Sequence, residues 1–149
     1  MRLTSKSEYG LIAMIDIAAS SHDRPVSVRE ISERRNIPRK FLEQIFHSLR
    51  QAGLVTSRRG PHGGFTLSRD AKDIDVLQVV EAVEGPLHAT VCVAANGKVP
   101  GCEMHCVCAA ASVWSRATDA MRNEFESVTL ASLGSTQRLF DEQGAKSAS

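Results

Sequence analysis

Apolar and polar positions recur with two different periods along this chain, and the change of period marks out its elements. Between Ser27 and Gln51 the spacing is helical. Val28 and Ile31 face inward first, and then Leu42, Ile45, Phe46 and Leu49 fall at i, i+3, i+4 and i+7, one stripe of a second helix. Ser27 and Glu30 form a capping-box pair at the first start, each side chain able to satisfy a backbone donor. Asn36-Ile37-Pro38 interrupts, because proline cannot continue one helix but suits the opening turn of the next. Gly53 follows the last periodic residue, where a left-handed cap favours a residue without a side chain.

From Leu54 the period shortens to two. Leu54 to Ser57 and Phe65 to Ser68 alternate as strands buried on one side do, and Arg58 to Gly64 makes a sharp, glycine-rich turn between them. Helix, tight turn, helix and hairpin are the outline of a winged helix-turn-helix, mainly α with a small β-hairpin wing.

The flanks follow the same logic. Upstream, Ser5-Lys6-Ser7-Glu8 reads as another capping box, with Leu11, Ile12, Ile15, Ala18 and Ala19 on one face of the helix it opens. Downstream, Asp75 caps VLQVVEAVE, and Gly85-Pro86 ends it. Leu87 to Val107 has no sustained period and reads as a loop of about twenty residues, long enough in a compact domain to demand a reason. A helix from Ala109 to Val128 carries Val113, Ala117, Met121, Phe125 and Val128 near a 3.5-residue period with Trp114 beside them, a stripe suited to dimer packing. Thr129 to Leu133 begins a short final helix, and Glu142 to Ser149 reads as a polar tail. The expected organisation is a DNA-binding domain over residues 1–72, a linker helix and cysteine-bearing loop over 73–108, a dimerisation helix and short final helix over 109–140, and a flexible tail over 141–149.

Composition adds the distribution of charge. The net charge is only +1, but residues 1–72 hold thirteen Lys and Arg against seven Asp and Glu, and residues 73–149 hold five against ten. A basic half and an acidic half are what electrostatics predicts for a domain that grips a polyanion and a sensor kept away from it. The candidate contacts are Arg39, Lys40, Glu43, Gln44 and Arg50 on the polar side of the second helix, Arg58, Arg59 and His62 in the hairpin turn, and Arg2, Ser5 and Lys6 at the first helix start. The first group can reach base edges in a major groove, the second a narrow minor groove, and the third a phosphate at a helix N-terminus. No apolar run approaches the roughly 18 residues of a membrane span, and MRLTSKSEYG lacks a secretory core, so a cytoplasmic protein without a membrane partner is expected. No redox Cys-x-x-Cys pair, nucleotide-binding glycine loop or Ser-His-Asp arrangement argues for an enzyme.

All four cysteines, Cys92, Cys102, Cys106 and Cys108, fall in the long loop or at its exit, separated by nine, three and one residues. In a cytoplasmic protein such a cluster points to a metal or redox role before a structural disulfide. Only Cys102 with Cys106 fits a zinc knuckle, while the irregular spread suits a loop wrapped around an iron-sulfur core; a thiol switch is the third reading.

Over FLEQIFHSLRQAGLVTSRRGPHGGFTLSRD and the helix after it, the chain resembles the IscR/NsrR type of winged-helix regulators, also called the Rrf-two family. The resemblance implies DNA binding by the second helix and the wing, with Lys40, Glu43 and Gln44 in the major groove and Arg59 at the wing; His62 departs from the glycine common in relatives. It also implies a 2Fe-2S or 4Fe-4S cluster held by three cysteines of the loop. Cys92 matches the first by its place after EAVEGPL, Cys102 the second with five residues before Cys108, and Cys108 the third by standing six residues before Trp114. The gap from Cys92 to Cys102 exceeds the family's usual five residues, so the first half of the loop must bulge, and Cys106 is an extra thiol that can replace Cys102. Where some relatives place a fourth ligand histidine this chain has Ala111; others use a carboxylate from the partner's first helix, and Glu8 is the matching residue, although it equally fits a capping box. His105 is a further candidate in the loop. The family dimerises through the long helix. Together these imply a homodimeric, sequence-specific regulator of a pseudo-palindromic operator, acting as a repressor and sensing iron-sulfur status, nitric oxide or redox state. A zinc-stabilised or thiol-switch regulator without a cluster is the alternative.

Overall fold

The computed structural model describes residues 3–20, 24–94 and 108–147. In chain order they form α1 (Ser5–Ala19), α2 (Val28–Arg35), α3 (Arg39–Gln51), β1 (Val55–Arg58), β2 (Gly64–Leu67), α4 (Val76–Glu84), α5 (Val91–Ala94), α6 (Ala109–Ser127) and α7 (Leu130–Ser147), with a 3-10 turn at Ala71–Asp73. Among the described residues no helix is long and apolar enough to cross a membrane.

The helix-turn-helix forms as its punctuation dictates. Ser27 and Glu30 complete a reciprocal capping box, and Asn36 ends α2 in the left-handed conformation at φ 52°. Pro38 becomes the N-cap of α3, one position earlier than the first-turn place expected of it. Gly53, at φ 71°, closes the other end of α3, its N–H reaching the Arg50 carbonyl and that of Leu54 the Leu49 carbonyl. Leu42, Ile45, Phe46 and Leu49 are all buried, joined in one core by Met14, Ile31, Leu54 and Ile74.

A second core lies behind the first. Val76, Leu77, Val80 and Leu87 are buried against Met121, Phe125 and Val128 of α6 and its exit. The lower half of the stripe read as a dimer seam is therefore spent within the chain, while Val113 and Trp114 above it remain 58% and 45% exposed. Backbone bonds from Val76 to Val128 and from Leu130 to Ile74 stitch the α6–α7 junction to the start of α4.

Three expectations change. The final helix is not short: it has 18 residues and occupies most of the stretch read as tail. It also returns to the N-terminal domain, where Gly134 lies so close to Ala18 that a Cβ would come within 3.0 Å of the Ala18 backbone. The four-residue α5 breaks into the segment expected to be irregular and carries Cys92. The third change is the cap of α1, which is Thr4 and not Ser5.

Asp16, with no exposed surface, ties three helices together. Arg35 Nε donates to its Oδ1 at 2.8 Å, Arg34 sits 3.0 Å from Oδ2, and Arg35 also reaches Asp141 of α7 at 3.3 Å. The Arg34 approach has ion-pair distance without hydrogen-bond alignment, which leaves Oδ2 without a hydrogen bond. Burial works against the Arg35 charge, but the hydrogen bond and charge of Asp16 outweigh it and raise the guanidinium above its ordinary value.

Candidate nucleic-acid interface and thiol segment

The polar side of α3 is open to solvent. Arg39, Lys40, Glu43, Gln44, His47 and Arg50 are all exposed, while the intervening apolar positions face the core. Arg39 Nε is 3.0 Å from Glu43 Oε1, an i,i+4 pair that holds both over the first turns. The wing packs against the same helix through Phe65 and Phe46. β1 and β2 pair antiparallel with Val55 opposite Leu67 and Arg58 opposite Gly64, each strand starting or ending one residue from the expected limit. Arg58 and Arg59 leave β1 exposed, and His62 is exposed at the tip.

Two glycines make this turn possible. At Gly63 a Cβ would meet the carbonyl oxygens of Arg58 and Gly60, and at Gly64 it would meet the backbone of Val26. The second close approach reveals a strand contact that the sequence pattern did not disclose. Val26 exchanges both backbone hydrogen bonds with Phe65, at 2.9 and 2.8 Å, adding a one-residue third strand to the wing. Phe65 in turn stacks on Phe46 of α3. Helix α3 and the wing are thus joined through Phe65.

Ser5 and Lys6 are exposed beside α3: Ser5 shares a hollow with Lys40 and Gln44, and Lys6 another with Gln44 and Ser48. Arg2 lies outside the described residues. The helix terminus itself is not open to a phosphate as expected. Glu84, at the end of α4, accepts the Thr4 N–H at 3.1 Å, the Ser7 N–H at 3.2 Å and the Thr4 hydroxyl, so an internal carboxylate occupies the anion position. Burial opposes the Glu84 charge, but these donors outweigh it and hold its pKa below the ordinary value.

The same shift of register frees Glu8. Because Thr4 caps α1, Glu8 is not the N3 partner of a capping box, and among the described residues no donor or cation engages its exposed carboxylate. It lines a groove of about 560 Å³ with Leu11, Val76, Val80 and Phe125.

Of the four cysteines, Cys92 and Cys108 are described; Cys102, Cys106 and His105 lie outside the described residues. Both described thiols are free and half-buried. Cys92 Sγ lies 2.9 Å from the Thr90 hydroxyl, and Cys108 is the N-cap residue of α6. The segment entering this region is well anchored: Leu87 N–H donates to Glu81 Oε1 at 2.9 Å, Glu81 pairs with Arg122 of α6, and Ala89 N–H donates to the buried Thr118 hydroxyl at 2.9 Å. Among the described residues no three His, Cys, Asp or Glu side chains gather to hold a metal ion. The two thiols are nevertheless donors of the kind that iron-sulfur clusters use, each at an element end and neither committed to a disulfide.

Comparison with known proteins agrees with this fold. Residues 3–136 match the family model described as Rrf2, iron-dependent transcriptional regulator. The chain is 40% identical over 144 residues to the HTH-type transcriptional regulator IscR of Escherichia coli, covering 97% of this chain and 86% of the relative. Among solved structures, CymR, described as the global cysteine regulator of B. subtilis, matches with a TM-score of 0.75 at 30% identity, over 91% of this chain and 98% of that one. The oxidized form of Staphylococcus aureus CymR matches with a TM-score of 0.70 at 30% identity, over 90% and 96%. IscR of T. potens matches with a TM-score of 0.70 at 29% identity, over 96% and 88%. With its winged helix-turn-helix fold and this likeness along nearly the whole chain, the protein belongs to the Rrf2 family and is a DNA-binding transcriptional regulator, not an enzyme.

Proposed function

We propose that this chain acts as a homodimeric, sequence-specific repressor whose grip on a pseudo-palindromic operator is set by an iron-sulfur cluster in the segment between α4 and α6. The observation that carries the reading is the pair of free, half-buried thiols in that segment, Cys92 in α5 and Cys108 at the start of α6. Cys92, Cys102 and Cys108 would hold the cluster, with Cys106 able to replace Cys102 and Glu8 of the partner subunit as the fourth ligand. When bound, the cluster supplies a charged centre sensitive to iron supply, nitric oxide and oxidation.

The chain's own contacts give the segment a route to DNA. Its first residues hydrogen-bond Glu81 and Thr118, and three residues after Glu81 the Glu84 carboxylate caps α1. The start of α1 lies against α3. A change of charge or order after Leu87 therefore bears on the element that braces the recognition helix. The exposed Val113 and Trp114 support pairing through the upper part of α6. A two-fold dimer then reads half-sites about one turn of DNA apart or more.

A thiol switch without a cluster is the second reading, favoured by the structural likeness to the oxidized form of CymR. One operator fragment titrated with anaerobic, metal-stripped and oxidised protein tests both, with iron, zinc and sulfide counted per chain. Iron and sulfide with different affinities in the three states support the cluster; differences without iron or sulfide support the switch. Zinc alone identifies a zinc-stabilised regulator. Equal affinities in all three states reject sensing and leave DNA binding intact.

A further inference from the structure

Ser5, Tyr9, Pro38, Lys40, Phe41 and Gln44 line a shallow, open hollow between the start of α1 and the first two turns of α3, and its surface is mostly apolar. Tyr9 and Phe41 meet edge to face there, with ring centroids 5.7 Å apart and planes at 88°. Both rings are partly buried against the main core, which backs the hollow from behind. The rim is different. Lys40 and Gln44 are exposed one helical turn apart, Lys6 lies beside Gln44, and among the described residues no acid pairs with either lysine. An open apolar hollow with a cationic rim lies beside the candidate base contacts Lys40 and Gln44.

This position matters because the first residues of a recognition helix are those that reach base edges in a major groove. The groove presents donors and acceptors almost everywhere, and its one apolar group is the 5-methyl of thymine. Unpaired lysines at the rim suit the flanking phosphates. We propose that the hollow formed by Tyr9, Pro38 and Phe41 receives a thymine 5-methyl group in each half-site, making Phe41 and Tyr9 sequence-determining residues alongside the polar face of α3. The proposal rests on the DNA-binding reading, and it deepens that reading by naming a base.

The test starts with selection of preferred duplexes from a random library by the full-length protein. Each thymine of the selected site is then replaced in turn by deoxyuridine, which removes the methyl and leaves every hydrogen-bonding group. At one position per half-site affinity should fall about fourfold, the transfer value of a single methyl-sized group. At that position 5-methylcytosine should be bound more tightly than cytosine by a similar factor. Phe41→Ala, compared by the same titrations, should bind the thymine and uracil duplexes alike. Equal binding of both at every position, by a protein that still selects a sequence, overturns the proposal while leaving DNA binding intact. No selected sequence at all overturns both. A change of oligomeric state in Phe41→Ala with uracil sensitivity unaltered makes the hollow a protein interface and likewise refutes it.

Discussion

Phe65 of the wing lies almost face to face with Phe46 of the recognition helix, ring centroids 4.4 Å apart and planes 22° apart. The stack joins the hairpin to α3 across the main core, and the Val26 bridge holds the same residue from its other side. Phe65→Ala should therefore loosen the wing as well as open a void, at a cost of about 2 kcal/mol for a partly buried ring. Urea unfolding measures this. An unchanged midpoint would mean the stack contributes nothing.

The turn that the stack supports is sterically specified. Gly63→Ala places a Cβ against two carbonyl oxygens, so the tip must rearrange although both strands can persist. Operator affinity should fall while the unfolding midpoint moves little. Arg59→Ala should weaken specific binding by roughly 1 to 3 kcal/mol without altering the fold. A footprint and affinity equal to those of the parent in both variants would remove the wing from the interface.

Glu84 makes stability depend on pH in a stated direction. Its pKa is lowered from the ordinary 4.5 in the folded chain, so the stabilising contribution is complete above the unfolded value and is lost as pH falls through the folded one. Glu84→Gln should be less stable than the parent by about 1 kcal/mol at neutral pH, as for loss of a helix cap, with the gap closing in acid below 4.5. Thermal unfolding of both proteins from neutral pH into that range checks it. A gap that stays constant would mean the carboxylate charge is not what caps α1.

Glu8 is open to a ligand role because it has no capping role to lose. Under the cluster reading, Glu8→Ala reconstituted without oxygen should show an altered visible spectrum or faster cluster loss, with an unchanged unfolding midpoint in the metal-free protein. Cys92→Ser and Cys108→Ser should each lower the iron retained per chain. A Glu8→Ala protein whose spectrum and cluster lifetime equal the parent's would exclude the carboxylate as a ligand.

Local rules carried the winged helix-turn-helix. Ser27 with Glu30, Gly53 after Leu49, and Asp75 with Gln78 each act within a few residues, so spacing alone was enough to place the helix ends within a position or so. The buried stripe of α3 was legible for the same reason, since a helix turns its own side chains. The cap of α1 was not. Thr4, Ser5 and Ser7 are equally capable locally, and the choice fell to Glu84, 80 residues from Thr4, whose carboxylate reaches the Thr4 and Ser7 amides.

The sequence by itself determined the helices and hairpin of the N-terminal domain, α4 and α6, which half would be basic, and that the thiols would gather in one segment. Only the tertiary structure decided what each face is used for. The stripe of α6 is divided, Met121 and Phe125 going to a second core and Val113 and Trp114 to solvent, because α4 covers only its lower half. The final helix reads as a short polar end until Gly134 is seen against Ala18 and Asp141 beside Arg35. The physical reason is common to all of these: periodicity reports that a side chain can be buried, whereas its partner is set by contacts between residues far apart along the chain.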